Sequence, residues 1–137
     1  QRGVLQEDVI HEHAEDIVSK YDVRAESVHQ PMGSLSGGNQ QKMVVGRELA
    51  RPHSVVVACQ PTRGLDVGAT YYIREQILES RNKGKAVLLI SAELDEILEL
   101  SDRIAVIYEG QIVDVRPTDQ FTEQELGLLM TGQRNGV

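Results

Sequence analysis

Two short runs without a single polar residue, Val55-Val56-Val57-Ala58-Cys59 and Ala86-Val87-Leu88-Leu89-Ile90, constrain this chain more than any other feature. Five consecutive apolar residues are too few for a helix that buries one stripe, and they read as strands buried on both faces. Between them, 67–82 has helical spacing, with Tyr72, Ile73, Ile77 and Leu78 facing inward and Lys83-Gly84-Lys85 as the stop. A strand, a helix and a second strand imply a parallel sheet with helices against it, which is an α/β fold.

The other segments extend this pattern. Residues 8–22 place Val9, Ile10, Ala14, Ile17, Val18 and Tyr21 at the spacing of an amphipathic helix. Residues 23–34 are irregular, broken by Pro31 and Gly33. A second helix runs from Gly38 to Ala50 and is stopped by Pro52. After the second strand comes a short acidic helix, Glu93 to Leu100, then strands over 103–108 and 111–115 joined by Glu109-Gly110, a favoured two-residue hairpin turn. Thr122 and Glu125 form a capping box for a last helix carrying Leu126, Leu128, Leu129 and Met130.

Composition removes several function classes. With 14 Lys+Arg against 21 Asp+Glu the net charge is −7, so the basic stripe needed to coat nucleic acid or an anionic membrane is missing. The single cysteine, Cys59, excludes an internal disulfide and fits a reducing compartment. No apolar run approaches the ~20 residues of a membrane-spanning helix, and the stretch Gln1 to Asp8 lacks the pattern of a secretory signal. One soluble, acidic domain is expected. The lack of Met at position 1 points to a piece of a longer chain.

The sharpest chemical feature is Leu35-Ser36-Gly37-Gly38-Asn39-Gln40-Gln41-Lys42 at the mouth of the second helix. Glycines let a backbone approach a ligand closely, and the first N–H groups of a helix point outward toward an anion. The same residues also make a plain Ser-capped helix after a glycine turn.

Further along stand Gln60-Pro61-Thr62-Arg63-Gly64-Leu65-Asp66 and Ser91-Ala92-Glu93-Leu94-Asp95-Glu96. In this order the segments resemble the ATP-binding cassette (ABC) proteins. Leu35 to Asn39 looks like their signature motif, Val55 to Gln60 like the Walker B strand, and Gly64-Leu65-Asp66 like the D-loop. Ser91-Ala92 stands where the switch-histidine loop falls, and Ser101-Asp102-Arg103 with Glu109-Gly110 resembles the family's segment C-terminal to that loop. Asn39 in fifth place, then Gln40-Gln41-Lys42 and Pro61 to Asp66, points to the ATPases of simple-sugar and nucleoside importers, specifically to the second of two tandem cassettes. The resemblance implies a partial P-loop NTPase (RecA-like) parallel sheet flanked by helices, with part of a helical subdomain and a C-terminal β-hairpin. It divides the chain into 1–34, the end of the helical subdomain; 35–116, the C-terminal half of the ATPase core; and 117–137, a final helix and tail.

The departures from the family pattern bear on mechanism. A P-loop reads Gly-x-x-x-x-Gly-Lys-Ser/Thr, and Gly84-Lys85 fails it, with Glu79 at the first Gly position and Ala86 after the Lys. The chain is therefore expected to begin after the P-loop. Cys59 and Gln60 stand where the family places a Mg²⁺-positioning Asp and a water-polarising Glu, and Ala92 stands where the switch His belongs. A thiol is a poor ligand for a hard cation, and an amide cannot accept the water's proton. The residue-level reading of Cys59 is a small hydrophobe at the end of a buried strand. His11, His13, His29 and His53 read as solvated or satisfied. Glu93 and Asp95 read as an acidic first turn complementing a helix dipole. Asp66 serves as an N-cap and, in the family, meets the partner cassette.

Taken together, the resemblance implies a nucleotide-binding fragment that lends Leu35, Ser36, Gly37, Gly38, Asn39 and Gln40 in trans to ATP on a partner cassette. Gly64, Leu65 and Asp66 would lie at the dimer interface, and no hydrolytic group of its own would be intact at Cys59, Gln60 or Ala92. ATP and Mg²⁺ are expected in the full-length protein, with none bound to this fragment, no metal site on it and no activity by itself. The implied partners are the first cassette of the same polypeptide, membrane permease subunits and, indirectly, a solute-binding protein, at the cytoplasmic face of a bacterial plasma membrane. Nucleic acid is not among them. Exposed strand edges or apolar faces would make the fragment self-associate. Gln60 without an acid before it leans toward the nucleoside branch. The alternatives are a non-catalytic docking cassette and a DNA-maintenance ATPase, the latter disfavoured by the acidic charge.

Overall fold

A computed structural model describes residues 3–133. Among these residues, nine regular elements occur in chain order: α1 (Glu7–Lys20), α2 (Gly37–Leu49), β1 (Val55–Cys59), α3 (Val67–Asn82), β2 (Ala86–Ile90), α4 (Leu94–Leu100), β3 (Arg103–Tyr108), β4 (Gln111–Pro117) and α5 (Glu123–Met130). Two single 3₁₀ turns, Met32–Ser34 and Thr118–Gln120, lie where no regular element is predicted. The outermost residues of the predicted end segments, 1–2 and 134–137, lie outside the described residues.

Strands β1 and β2 pair with each other. At one end the Ala86 N–H donates to the Ser54 carbonyl, and at the other the Gln60 N–H donates to the Ile90 carbonyl at 2.7 Å. The two strands thus run the same way, as a helical crossover demands. The chain separates into two compact units, Gln1–Val56 with Pro61–Val87 and Val57–Gln60 with Leu88–Val137.

The first unit packs α1, α2 and α3. Ile17, Tyr21 and Val23 form its buried centre, with Val18, Ala25, Leu35, Met43, Val45, Leu49 and Tyr72 around them. Burying each large apolar side chain contributes about 1.5–3 kcal/mol. The axes of α1 and α2 approach closely because Gly46 carries no side chain; a Cβ there would sit 2.8 Å from both Ile17 Cγ2 and Tyr21 Cδ2. In α3, Ile73 and Ile77 are buried as predicted, while Tyr72 and Leu78 are half-buried.

The second unit builds on the antiparallel pair β3–β4, whose inner residues Ile104 and Val106 pack with Phe121 and Leu126 and against Leu94, Ile97 and Leu98. Glu109 at φ 46° and Gly110 at φ 77° give the turn its two left-handed residues. Strand β4 runs on to Pro117, two residues past its predicted end. The register shifts between Val106 and Ile107, leaving Val113 as an extra residue on β4. The Thr122–Glu125 capping box is present in full, with the Thr122 N–H donating to Glu125 and the Glu125 N–H donating to the Thr122 hydroxyl.

One expectation fails. Strands β1 and β2 are not buried on both faces: Val55, Val57, Leu88 and Ile90 are 45–63% exposed. Their apolar character is that of strands made to be covered twice, but among the described residues only alternate positions are shielded. Cys59 lies on the exposed side, so it is not the buried hydrophobe that an unbroken apolar run suggests.

Candidate functional site

Helix α2 begins at Ser36, whose side chain caps it by accepting from the Asn39 N–H. The Gln40 N–H bonds the Ser36 carbonyl at 2.9 Å. The Gly37 and Gly38 N–H groups remain at the helix start, where no intrahelical carbonyl reaches them. The two glycines serve different ends. A Cβ on Gly37 would meet nothing within 4 Å, so the backbone there stands open to an incoming group. A Cβ on Gly38 would lie 2.9 Å from Ala69 Cβ and 3.4 Å from Asp66 Oδ2, so this glycine lets α2 settle against the start of α3.

Of the six residues predicted to face a nucleotide, Ser36 and Gly37 are exposed. Leu35 packs into the core of the first unit. Asn39 and Gln40 spend their amides internally: Asn39 Nδ2 donates to Ser36 Oγ at 3.0 Å, and Gln40 Nε2 donates to the Leu35 carbonyl at 2.8 Å. The outward face is therefore a hydroxyl and a bare stretch of backbone at the positive end of a 13-residue helix with no acidic residue in its first turn. That arrangement suits an anion.

The predicted D-loop residues are tied to the same place. Asp66 caps α3 by accepting from the Ala69 N–H at 2.9 Å, and its other carboxylate oxygen faces Gly38. Gly64 adopts φ 74°, a conformation that favours glycine. Leu65 is half-buried. Gln41 Nε2 donates to the Pro61 carbonyl at 2.8 Å and so holds the loop leading to Asp66 against α2.

Lys42 is a further element that spacing alone does not reveal. Its ammonium donates to both the Asp22 carbonyl and Asp22 Oδ2 at 2.8 Å and lies 4.5 Å from the centre of the Tyr72 ring. Burial, with smaller contributions from Tyr21, Asp22 and Glu79, pushes the Tyr72 hydroxyl up to about 12. The Lys42 hydrogen bond holds the Asp22 carboxyl below its ordinary range. These partners stand 20 and 30 residues from Lys42 in sequence, and no local pattern signals such contacts.

The remaining predicted positions lie in the second unit. Gln60 takes a left-handed φ of 49°, rare for a residue with a side chain. Ala92 is exposed, and the neighbouring Ser91 hydroxyl accepts from the Glu93 N–H. Neither Cys59, Gln60 nor Ala92 offers a carboxylate, and among the described residues no group of three or more His, Cys, Asp or Glu side chains could hold a metal ion. These residues do not fit a hard divalent cation.

The fold matches that of solved ATP-binding cassettes, which is the P-loop NTPase fold. A nucleotide-free cassette from an ABC transporter superposes with TM-score 0.71 at 26% identity, over 96% of this chain and 50% of that one. A dimeric cassette bound to ADP and phosphate, at 21% identity, gives TM-score 0.71 over 88% of this chain and 52% of that one, a likeness of fold. No protein-family model matches. In sequence, the chain is 50% identical over 130 residues to a guanosine import ATP-binding protein of Bacillus subtilis, covering 95% of the chain and 26% of that protein. It is 49% identical to a nucleoside import ATP-binding protein of Lactococcus lactis, over 95% of the chain and 26% of that protein. A glucose import ATP-binding protein of Haloferax volcanii is 48% identical over 88% of the chain and 22% of its own length. The chain thus spans between 22% and 26% of these relatives. Its homologues are ATP-binding proteins of nucleoside and sugar importers, and the solved structures it resembles are ABC cassettes.

Proposed function

We propose that this chain is part of the nucleotide-binding subunit of an importer for a nucleoside or simple sugar, and that it presents Ser36 and the N–H groups of Gly37 and Gly38 to ATP held by a partner cassette. The observation that carries the reading is the exposed Ser36 cap beside Gly37, where a Cβ would meet nothing within 4 Å. An ATP phosphate would there meet uncharged donors rather than a basic patch, consistent with the net charge of −7. In this reading the chain is the C-terminal part of the second cassette, with 1–34 ending its helical subdomain, 35–116 forming half of its ATPase core and 117–137 its last helix and tail. Its own site, with Cys59, Gln60 and Ala92, turns over little or no ATP, because nothing there accepts a proton from water or holds Mg²⁺. ATP and Mg²⁺ serve the partner's site. The first cassette, the permease and a solute-binding protein complete the assembly, docked at the cytoplasmic face of the plasma membrane. The nucleoside branch is favoured by Gln60 and by the two relatives named for guanosine and nucleoside import. By itself the chain self-associates through the exposed apolar face of β1–β2.

The test is Ser36→Arg in the full-length protein, with ATP hydrolysis as the readout. A bulky cation at the helix start blocks the phosphate and should lower turnover at least tenfold, since a hydrogen bond to a charged group is worth ~1.5–3 kcal/mol. Unchanged hydrolysis overturns the reading.

A further inference from the structure

The amide of Asn39 has a fixed orientation. The Arg24 N–H donates to Asn39 Oδ1 at 2.8 Å, and a backbone N–H can only donate, so the oxygen of the amide must face it. The Nδ2 group is thereby turned to Ser36 Oγ, 3.0 Å away. The Asn39 N–H reaches the same oxygen at 3.4 Å. Ser36 Oγ thus accepts twice from one residue, which occupies both of its lone pairs and leaves the hydroxyl its proton.

We propose that Asn39 is a positioning residue that makes the Ser36 hydroxyl an obligate hydrogen-bond donor toward an anionic oxygen of the bound nucleotide. Arg24 sits just beyond Asp22, which Lys42 holds one helical turn further along α2. The segment 22–24 is therefore fixed to the same helix face and acts as a template for the amide. Asn39 need not touch the ligand. It acts through Ser36, and this rests on the proposed presentation of Ser36 to ATP.

A double-mutant cycle in the full-length protein tests it, read as kcat/KM for ATP hydrolysis. Ser36→Ala should lower kcat/KM about tenfold or more, as expected for a lost hydrogen bond to a charged group. Asn39→Ala should lower it several-fold, and the double variant should be no worse than Ser36→Ala alone. Asn39→Asp keeps an acceptor for the Arg24 N–H but replaces the Nδ2 donor with a carboxylate oxygen facing Ser36 Oγ, so the serine proton turns inward and kcat/KM falls at high salt as well as low. If Ser36→Ala itself changes nothing, the nucleotide reading fails. If Ser36→Ala is impaired but the Asn39 effect adds to it in full, or Asn39→Asp behaves like the wild type, the positioning role fails alone.

Discussion

At φ 48°, Asp22 holds a conformation that an L residue seldom adopts, and Lys42 grips it twice, at the carbonyl and at the carboxylate. A strained residue persists where its surroundings over-determine it, and here the surroundings are a lysine whose side chain is 12% exposed and a neutral phenol ring beneath it. The Lys42 hydrogen bond lowers the Asp22 pKa from its ordinary 3.8. A depressed carboxyl contributes stability above its unfolded value and loses it as pH falls through the folded one. Asn tolerates the left-handed region, so Asp22→Asn removes the charge with little backbone penalty. Thermal melting from pH 7 to pH 2 should show the variant less stable than the wild type at neutral pH, with the gap closing below pH 3.8. A gap constant across that range would assign the effect to packing instead.

At the scale of elements, the meeting of α2 and α3 predicts opposite outcomes for adjacent glycines. Glycine in a helix ordinarily costs about 1 kcal/mol relative to alanine. Gly38→Ala should nevertheless destabilise by about 1–3 kcal/mol, because the new methyl lies 2.9 Å from Ala69 Cβ and one backbone must retreat. Gly37→Ala meets nothing and should melt no lower than the wild type, while its methyl crowds the approach of an anion. Denaturant melts of both variants check the pair; equal losses would refute the packing argument. These two residues also mark how far sequence reasoning reaches. The Ser36 cap, the Thr122–Glu125 box, the Glu109-Gly110 turn and the order of helices and strands are legible because each depends on residues a few positions apart. Glycine signals a close approach, but only the packing of α2 on α3 distinguishes the open space at Gly37 from the contact with Ala69 at Gly38. The Asn39–Arg24 and Lys42–Asp22 ties span 15 and 20 residues and leave no periodic trace. The added length of β4 and the bulge at Val113 depend on pairing with β3, which periodicity within one strand cannot report.

For the whole molecule, the unbroken apolar runs mark β1 and β2 as strands and predict cover on both faces, which the described residues do not supply. Val55, Val57, Leu88 and Ile90 leave the face of this pair apolar and open. The isolated chain should therefore gain mass with concentration in sedimentation velocity, and Val57→Lys with Leu88→Lys should suppress that gain. A concentration-independent monomer of the unaltered chain would refute self-association. Cys59 ends the same exposed row as Val55 and Val57, and it is the only thiol in the sequence. A maleimide dye therefore attaches at one known atom without any engineering. Its rate of attachment becomes a clock for how long water, rather than another protein surface, occupies that side of the strand.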